Sequence, residues 1–139
     1  MKLKSFWSLL LILAAASGLR GAESNSAPTM SRIEANELFN SLVTIEAGLT
    51  PANTIAAADA INTLRPIVEA LEKGRAALRK QFNGQKVDDP AVIAAVEAFE
   101  LKAAEQIQVT LPKLTLSPEE ISAAKVKPAV LSVLRRYLK

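Results

Sequence analysis

A mainly α fold, either a small helical bundle or a long helical hairpin with one short β segment and short C-terminal helices, follows from three observations. Apolar residues recur at spacings of three and four over most of residues 31–104. Proline or a capping side chain stands where each of these periodic runs begins. After Glu105 the period drops to two for a single short stretch.

The first run opens with Ser31-Arg32-Ile33-Glu34, a capping box in which Ser and Glu side chains satisfy backbone donors reciprocally. Ala35, Leu38, Leu42, Ile45 and Leu49 continue it, with Phe39 and Val43 widening the stripe, so a helix is expected from Ser31 to about Ala47, ended by Gly48. Thr50-Pro51 then supplies an N-cap and a proline at the first helical position. The second helix, Pro51 to about Phe82, is the longest. Its seam is Ile61, Leu64, Val68, Leu71, Leu78 and Phe82, with Arg75 at an intervening core-type position. Pro66 removes one hydrogen bond in its middle, and a kink or break is expected near residues 62–65.

Asn83-Gly84 begins a polar connection that ends in Asp89-Pro90, a second cap-plus-proline start. The third helix carries Val92, Val96, Phe99 and Ala103 on one side and is expected to lie antiparallel to the second, with Phe82 and Phe99 as core. Ile107, Val109 and Leu111 alternate with polar residues, and Leu114 and Leu116 resume the alternation after Pro112, giving a β segment over about 106–116. With no second clear strand, this segment reads either as a small hairpin bent at Pro112-Lys113 or as an edge open to strand addition. Ser117-Pro118-Glu119-Glu120 starts a short helix with two acids at its positive end. A last helix over 129–138 follows Lys127-Pro128 and ends in Arg135, Arg136 and Lys139.

Ahead of all this, residues 1–22 have the zones of an export signal: Lys2 and Lys4, an uncharged apolar stretch Phe6 to Leu19, and small residues Ala14 to Gly18. Fourteen residues are too few to span a bilayer, which needs about 20. Cleavage is therefore expected, leaving no stable membrane anchor, a linker over 23–30 and a single helical domain over 31–139. The competing reading starts a cytoplasmic protein at Met30. Residues 1–29 hold three of the 17 basic groups and one of the 14 acids, so the other 110 residues are nearly neutral. A generic affinity for nucleic acid is not supported.

The chain has no Cys and no His, which removes the thiolate nucleophile, the disulfide framework, the commonest general base and the commonest transition-metal ligand. Asp88-Asp89 and Glu119-Glu120 lack the further ligands an oxygen-coordinated metal needs and read as caps and dipole partners. No catalytic residue, cofactor or metal is expected. The function expected is that of an exported, non-catalytic protein acting through a protein partner or a homo-oligomer, with Ile107, Val109, Leu111, Leu114 and Leu116 as candidate contacts. Arg75, Arg79 and Lys80 are a weaker candidate for anion contact, since Glu69 and Glu72 stand one turn away to neutralise them. Arg75 could instead pair with Glu97 or Glu100 on the third helix.

Three stretches, Ile61-Asn-Thr-Leu-Arg-Pro-Ile-Val-Glu-Ala-Leu-Glu72, Arg75 to Gly84, and Phe99-Glu-Leu-Lys-Ala-Ala-Glu105 leading into Ile107 to Leu111, precede a Leu-rich, Pro-marked tail from Leu114 to Leu138. In this order they resemble small helical proteins of unestablished role encoded in tailed-phage and prophage genomes, over most of residues 30–139. The resemblance implies the alternative function, a cytoplasmic virion-assembly or nucleic-acid-associated factor starting at Met30. Such proteins are not normally exported, so the leader departs from the pattern.

Overall fold

The computed structural model describes residues 28–45 and 47–138; the expected signal over 1–22 lies outside the described residues. The order is β1 (Thr29–Ser31), α1 (Arg32–Val43), α2 (Pro51–Gln81), α3 (Pro90–Ala104), β2 (Gln106–Gln108), α4 (Pro118–Ala123) and α5 (Pro128–Tyr137). The fold is mainly α with one short β element, as the periodicities predict.

The capping residues act as the local chemistry requires. The Ser31 hydroxyl accepts from the Glu34 N–H at 3.1 Å while the Glu34 carboxylate accepts from the Ser31 N–H at 2.7 Å. Thr50 and Asp89 cap α2 and α3 with proline behind each, and Ser117 with Glu120 repeats the full box on α4. Helix α1 stops at Val43, four residues short of expectation. Thr44 closes it, its N–H on Asn40 O and Leu42 O and its hydroxyl on Ser41 O. Helix α2 runs unbroken through Pro66, against the expected break. Asn62 and Pro66 are both exposed, so water can satisfy the carbonyl that proline leaves without a donor.

The strand partner that the sequence pattern does not reveal lies in the expected linker. Thr29, Met30 and Ser31 pair antiparallel with Gln108, Ile107 and Gln106. The linker assignment over 23–30 is therefore corrected at its end. Met30 is fully buried, and the Pro28 carbonyl accepts from the Val109 N–H at 3.1 Å. The β segment is also much shorter than the expected 106–116: β2 stops at Gln108, because its partner strand is only three residues long. No hairpin forms at Pro112; β2 takes β1 on one side, and the two-stranded sheet leaves its other side without a strand among the described residues.

Met30, Ala35, Leu38 and Leu42 meet Ala57, Ala60 and Leu64 of the first half of α2, and Val133, Leu134 and Leu138 close the core from α5. Val109 and Leu114 complete this core from the extended segment. The Leu114 N–H donates to Leu138 O at 3.0 Å, so the segment is fastened to the C-terminal turn as well. A chain started at Met30 loses the Pro28 acceptor and sets a charged ammonium beside β2. It is expected to be less stable than a chain retaining residues 23–29 by about 1–3 kcal/mol, read as a lower urea midpoint.

Two glutamates from the capping boxes also bind across the fold. Glu120, 6% exposed, accepts from the Thr50 N–H at 2.7 Å and from Asn53 Nδ2 at 2.8 and 2.9 Å, in addition to the Ser117 N–H at 2.9 Å. It thereby fastens the start of α4 to the start of α2. The backbone N–H groups of Ser117 and Thr50, then Asn53, hold the pKa of its carboxyl down to about 2. Glu34 likewise accepts from the Tyr137 hydroxyl at 2.7 Å, which joins the first helix to the last. The Ser31 N–H and then that hydroxyl lower its pKa to about 2, while burial, then the Glu34 bond, raises that of Tyr137.

Candidate functional site

The second half of α2 and all of α3 are packed differently from this core. In α3, Pro90–Ala104, only Ala103 is buried, although Ala, Val, Ile, Leu and Phe make up most of the helix. A helix apolar on nearly every side normally ends up enclosed. Here Ile93 is 43% and Leu101 74% exposed. Phe82 and Phe99, expected in the core, stand outside the main cluster, and both are half-buried.

Helix α3 approaches α2 through one notch. A Cβ on Gly74 would lie 2.4 Å from the Phe99 ring, so the absence of a side chain at Gly74 is what seats the ring against α2. Leu71 and Ala103, both buried, line the same hollow about one turn further along each helix. Phe99 beside Gly74 and Ala103 beside Leu71 run in opposite senses along the chain, which makes the pair antiparallel, as expected. The Arg32 guanidinium donates to Lys102 O at 2.9 Å and anchors the end of α3 to α1.

On one side of this contact the helices diverge into a groove of about 820 Å³. Leu78, Val96, Phe99 and Leu101 line it with Ile33 of α1 among its lining residues. Arg75 and Arg79 stand on its α2 wall and Glu97 and Glu100 on its α3 wall. The expected pairing of Arg75 with Glu97 or Glu100 is not formed. Arg75 donates instead to Glu72 at 2.7 Å, and Arg79 shares the same carboxylate at 4.0 Å. An i, i+3 partner on its own helix is within easy reach, whereas the opposite wall is a groove's width away. Lys80 is exposed and makes no ion pair among the described residues.

The candidate contacts of the β segment are placed elsewhere. Val109 and Leu114 are 3% and 7% exposed, and Ile107, Leu111 and Leu116 are half-buried against the same core. In this fold they hold the molecule together and present no exposed stripe to a partner. The alternation that marks a half-buried strand for a partner marks one for an intramolecular core equally well, and nothing in the three residues of β1 identifies them as the other strand. Glu97, Glu100 and Leu101 are not among the partner contacts expected from sequence. A signal for this face exists, because Ile93, Ala94 and Leu101 are apolar off the Val92-Val96-Phe99-Ala103 side of α3.

Among the described residues no three carboxylates gather as a metal would require, and no helix is long and apolar enough to cross a membrane. Fold and site together define a mainly helical protein in which a two-stranded clasp and a helical head carry a grooved helical hairpin. Comparison with protein-family models, with curated proteins and with solved structures returns no match for this chain.

Proposed function

We propose that this is an exported, non-catalytic protein that works by associating with protein, through the groove of the α2–α3 hairpin. The observation that carries the reading is α3 itself, a 15-residue helix with an apolar sequence and a single buried residue. Apolar surface left in water is unfavourable by about 25 cal/mol per Å², and a contiguous exposed patch on a folded chain marks an association surface. Export is supported by the basic, apolar and small-residue zones of residues 2–22. It is supported further by β1, since the residues just ahead of Met30 contribute to the fold and a start at Met30 would forgo them.

The alternative of a nucleic-acid-associated factor draws less support, because Arg75 and Arg79 already share a carboxylate on the surface where an anion would sit.

A photoreactive residue replacing Leu101 in the native host tests the reading. The expected result is a discrete adduct, identified by mass spectrometry, that is absent when the same probe replaces exposed Ser122 on α4. Equal background from both positions would overturn it.

A further inference from the structure

We infer that the occupant of this groove is a second copy of the same chain, so that two hairpins close into a four-helix bundle. The inference rests on the association reading above and adds to it the identity of the partner. Its warrant is the distribution of charge. The α2 wall carries Arg75 and Arg79 against the single Glu72, an excess of positive charge, and the α3 wall carries Glu97 and Glu100 with no ion pair among the described residues. A surface whose two walls bear opposite charge is complementary to itself after a two-fold rotation, the commonest symmetry of soluble oligomers.

The charges also select between the two ways of stacking such hairpins. A two-fold axis across the hairpin would set α2 over α2 and oppose the arginines of one copy to those of the other. An axis along the hairpin sets each α2 over the α3 of its partner. The arginine wall then meets the glutamate wall twice, and like charges are kept apart. Between the walls the exposed Val96 and Leu101 and the half-buried Phe99 supply the apolar seam, with Ile33 of the head against the same groove. At about 1.5 Å per residue the part of α3 that lines the groove, Val96 to Ala104, is roughly 13 Å long, about two and a half turns of contact. In this arrangement Arg79 and Arg75 each have two candidate acceptors, Glu72 on their own helix and a glutamate of the partner.

Charge reversal on the two walls tests the inference on the chain recovered from its host, by sedimentation equilibrium with circular dichroism as a check on folding. The unaltered protein is expected to sediment as a dimer. Arg75→Glu with Arg79→Glu, and separately Glu97→Arg with Glu100→Arg, are each expected to weaken the dimer at least tenfold while retaining helical signal. An equimolar mixture of the two variants is expected to recover it, a result that misfolding of either cannot produce. A monomer at all concentrations, reversal without effect, or no recovery on mixing would each overturn the inference. The Leu101 adduct separates its failure from that of the broader reading, because an adduct with a different protein retains association while excluding the second copy, and no adduct removes both.

Discussion

Replacement of Gly48 by alanine is expected to destabilise the protein by about 3 kcal/mol or more and to lower its thermal midpoint by on the order of 10 to 20 °C. Two effects act together. Gly48 has φ +132°, a backbone conformation that residues with a Cβ rarely adopt, and a Cβ there would fall 2.7 Å from the Ala123 carbonyl carbon and 2.8 Å from the Ala124 nitrogen. Both obstructing atoms belong to backbone at the end of α4, which cannot turn aside as a side chain would. Gly84 provides the control. Its φ is +82° and nothing lies within 4 Å of where a Cβ would stand, so Gly84→Ala meets the strain without the collision and is expected to cost only about 1–2 kcal/mol. Scanning calorimetry of the two variants separates conformational strain from the collision with α4.

The second large effect is expected at Glu120. Glu120→Gln puts an amide NH2 among three donors, the N–H groups of Ser117 and Thr50 and the Asn53 amide, and at least one of them loses its acceptor. Both α2 and α4 lose a fastening in a single substitution, whereas Glu119→Gln, on the exposed neighbour, leaves them untouched. The pH dependence has a definite sign. The folded pKa, about 2, lies below the ordinary 4.5, so the stabilisation is fully present above pH 4.5 and is lost as pH falls toward 2. Glu34, also lowered to about 2, contributes in the same window. Urea midpoints measured from pH 7 to pH 2 should fall steeply below 4.5 in the unaltered protein. Glu120→Gln should start lower at pH 7 and fall less, with the remaining slope assigned to Glu34. Parallel curves for the two proteins would refute this role for the Glu120 carboxylate.

These residues mark the boundary between what is legible in the chain and what is not. Helix starts are legible because a cap is a local event: Ser31 with Glu34, Thr50 with Pro51, Asp89 with Pro90 and Ser117 with Glu120 are each complete within four residues. The same Glu120 side chain is only half legible, since its bonds to Thr50 and Asn53 join residues about seventy positions apart. Thr29–Ser31 is hidden for another reason. Three residues are too few for alternation to show, and the strand is recognisable only once Ile107 lies opposite Met30. Gly48 has the look of a helix stop in the sequence, although α1 has already ended at Val43 and the position is governed by the close passage of α4. In the candidate site, the basic wall is visible as a helical spacing of Arg75 and Arg79. The acidic wall is visible too, as Glu97 and Glu100 opposite Arg75, but the groove that keeps the two walls apart appears only when Phe99 settles into the notch at Gly74.

The bond from Tyr137 to Glu34 spans 103 positions, and β1 waits on β2 and Leu114 on Leu138. The head therefore gains these fastenings only once its carboxy-terminal segment is present. While the chain is being synthesised, Met30 has no strand to cover it until residue 107 is present, and Glu34 has no hydroxyl until residue 137 has left the ribosome. Contacts of such sequence separation form late, after the loop between them has been closed. The order in which residues are made is thus the reverse of the order in which the head can be fastened, its first helix waiting on its last.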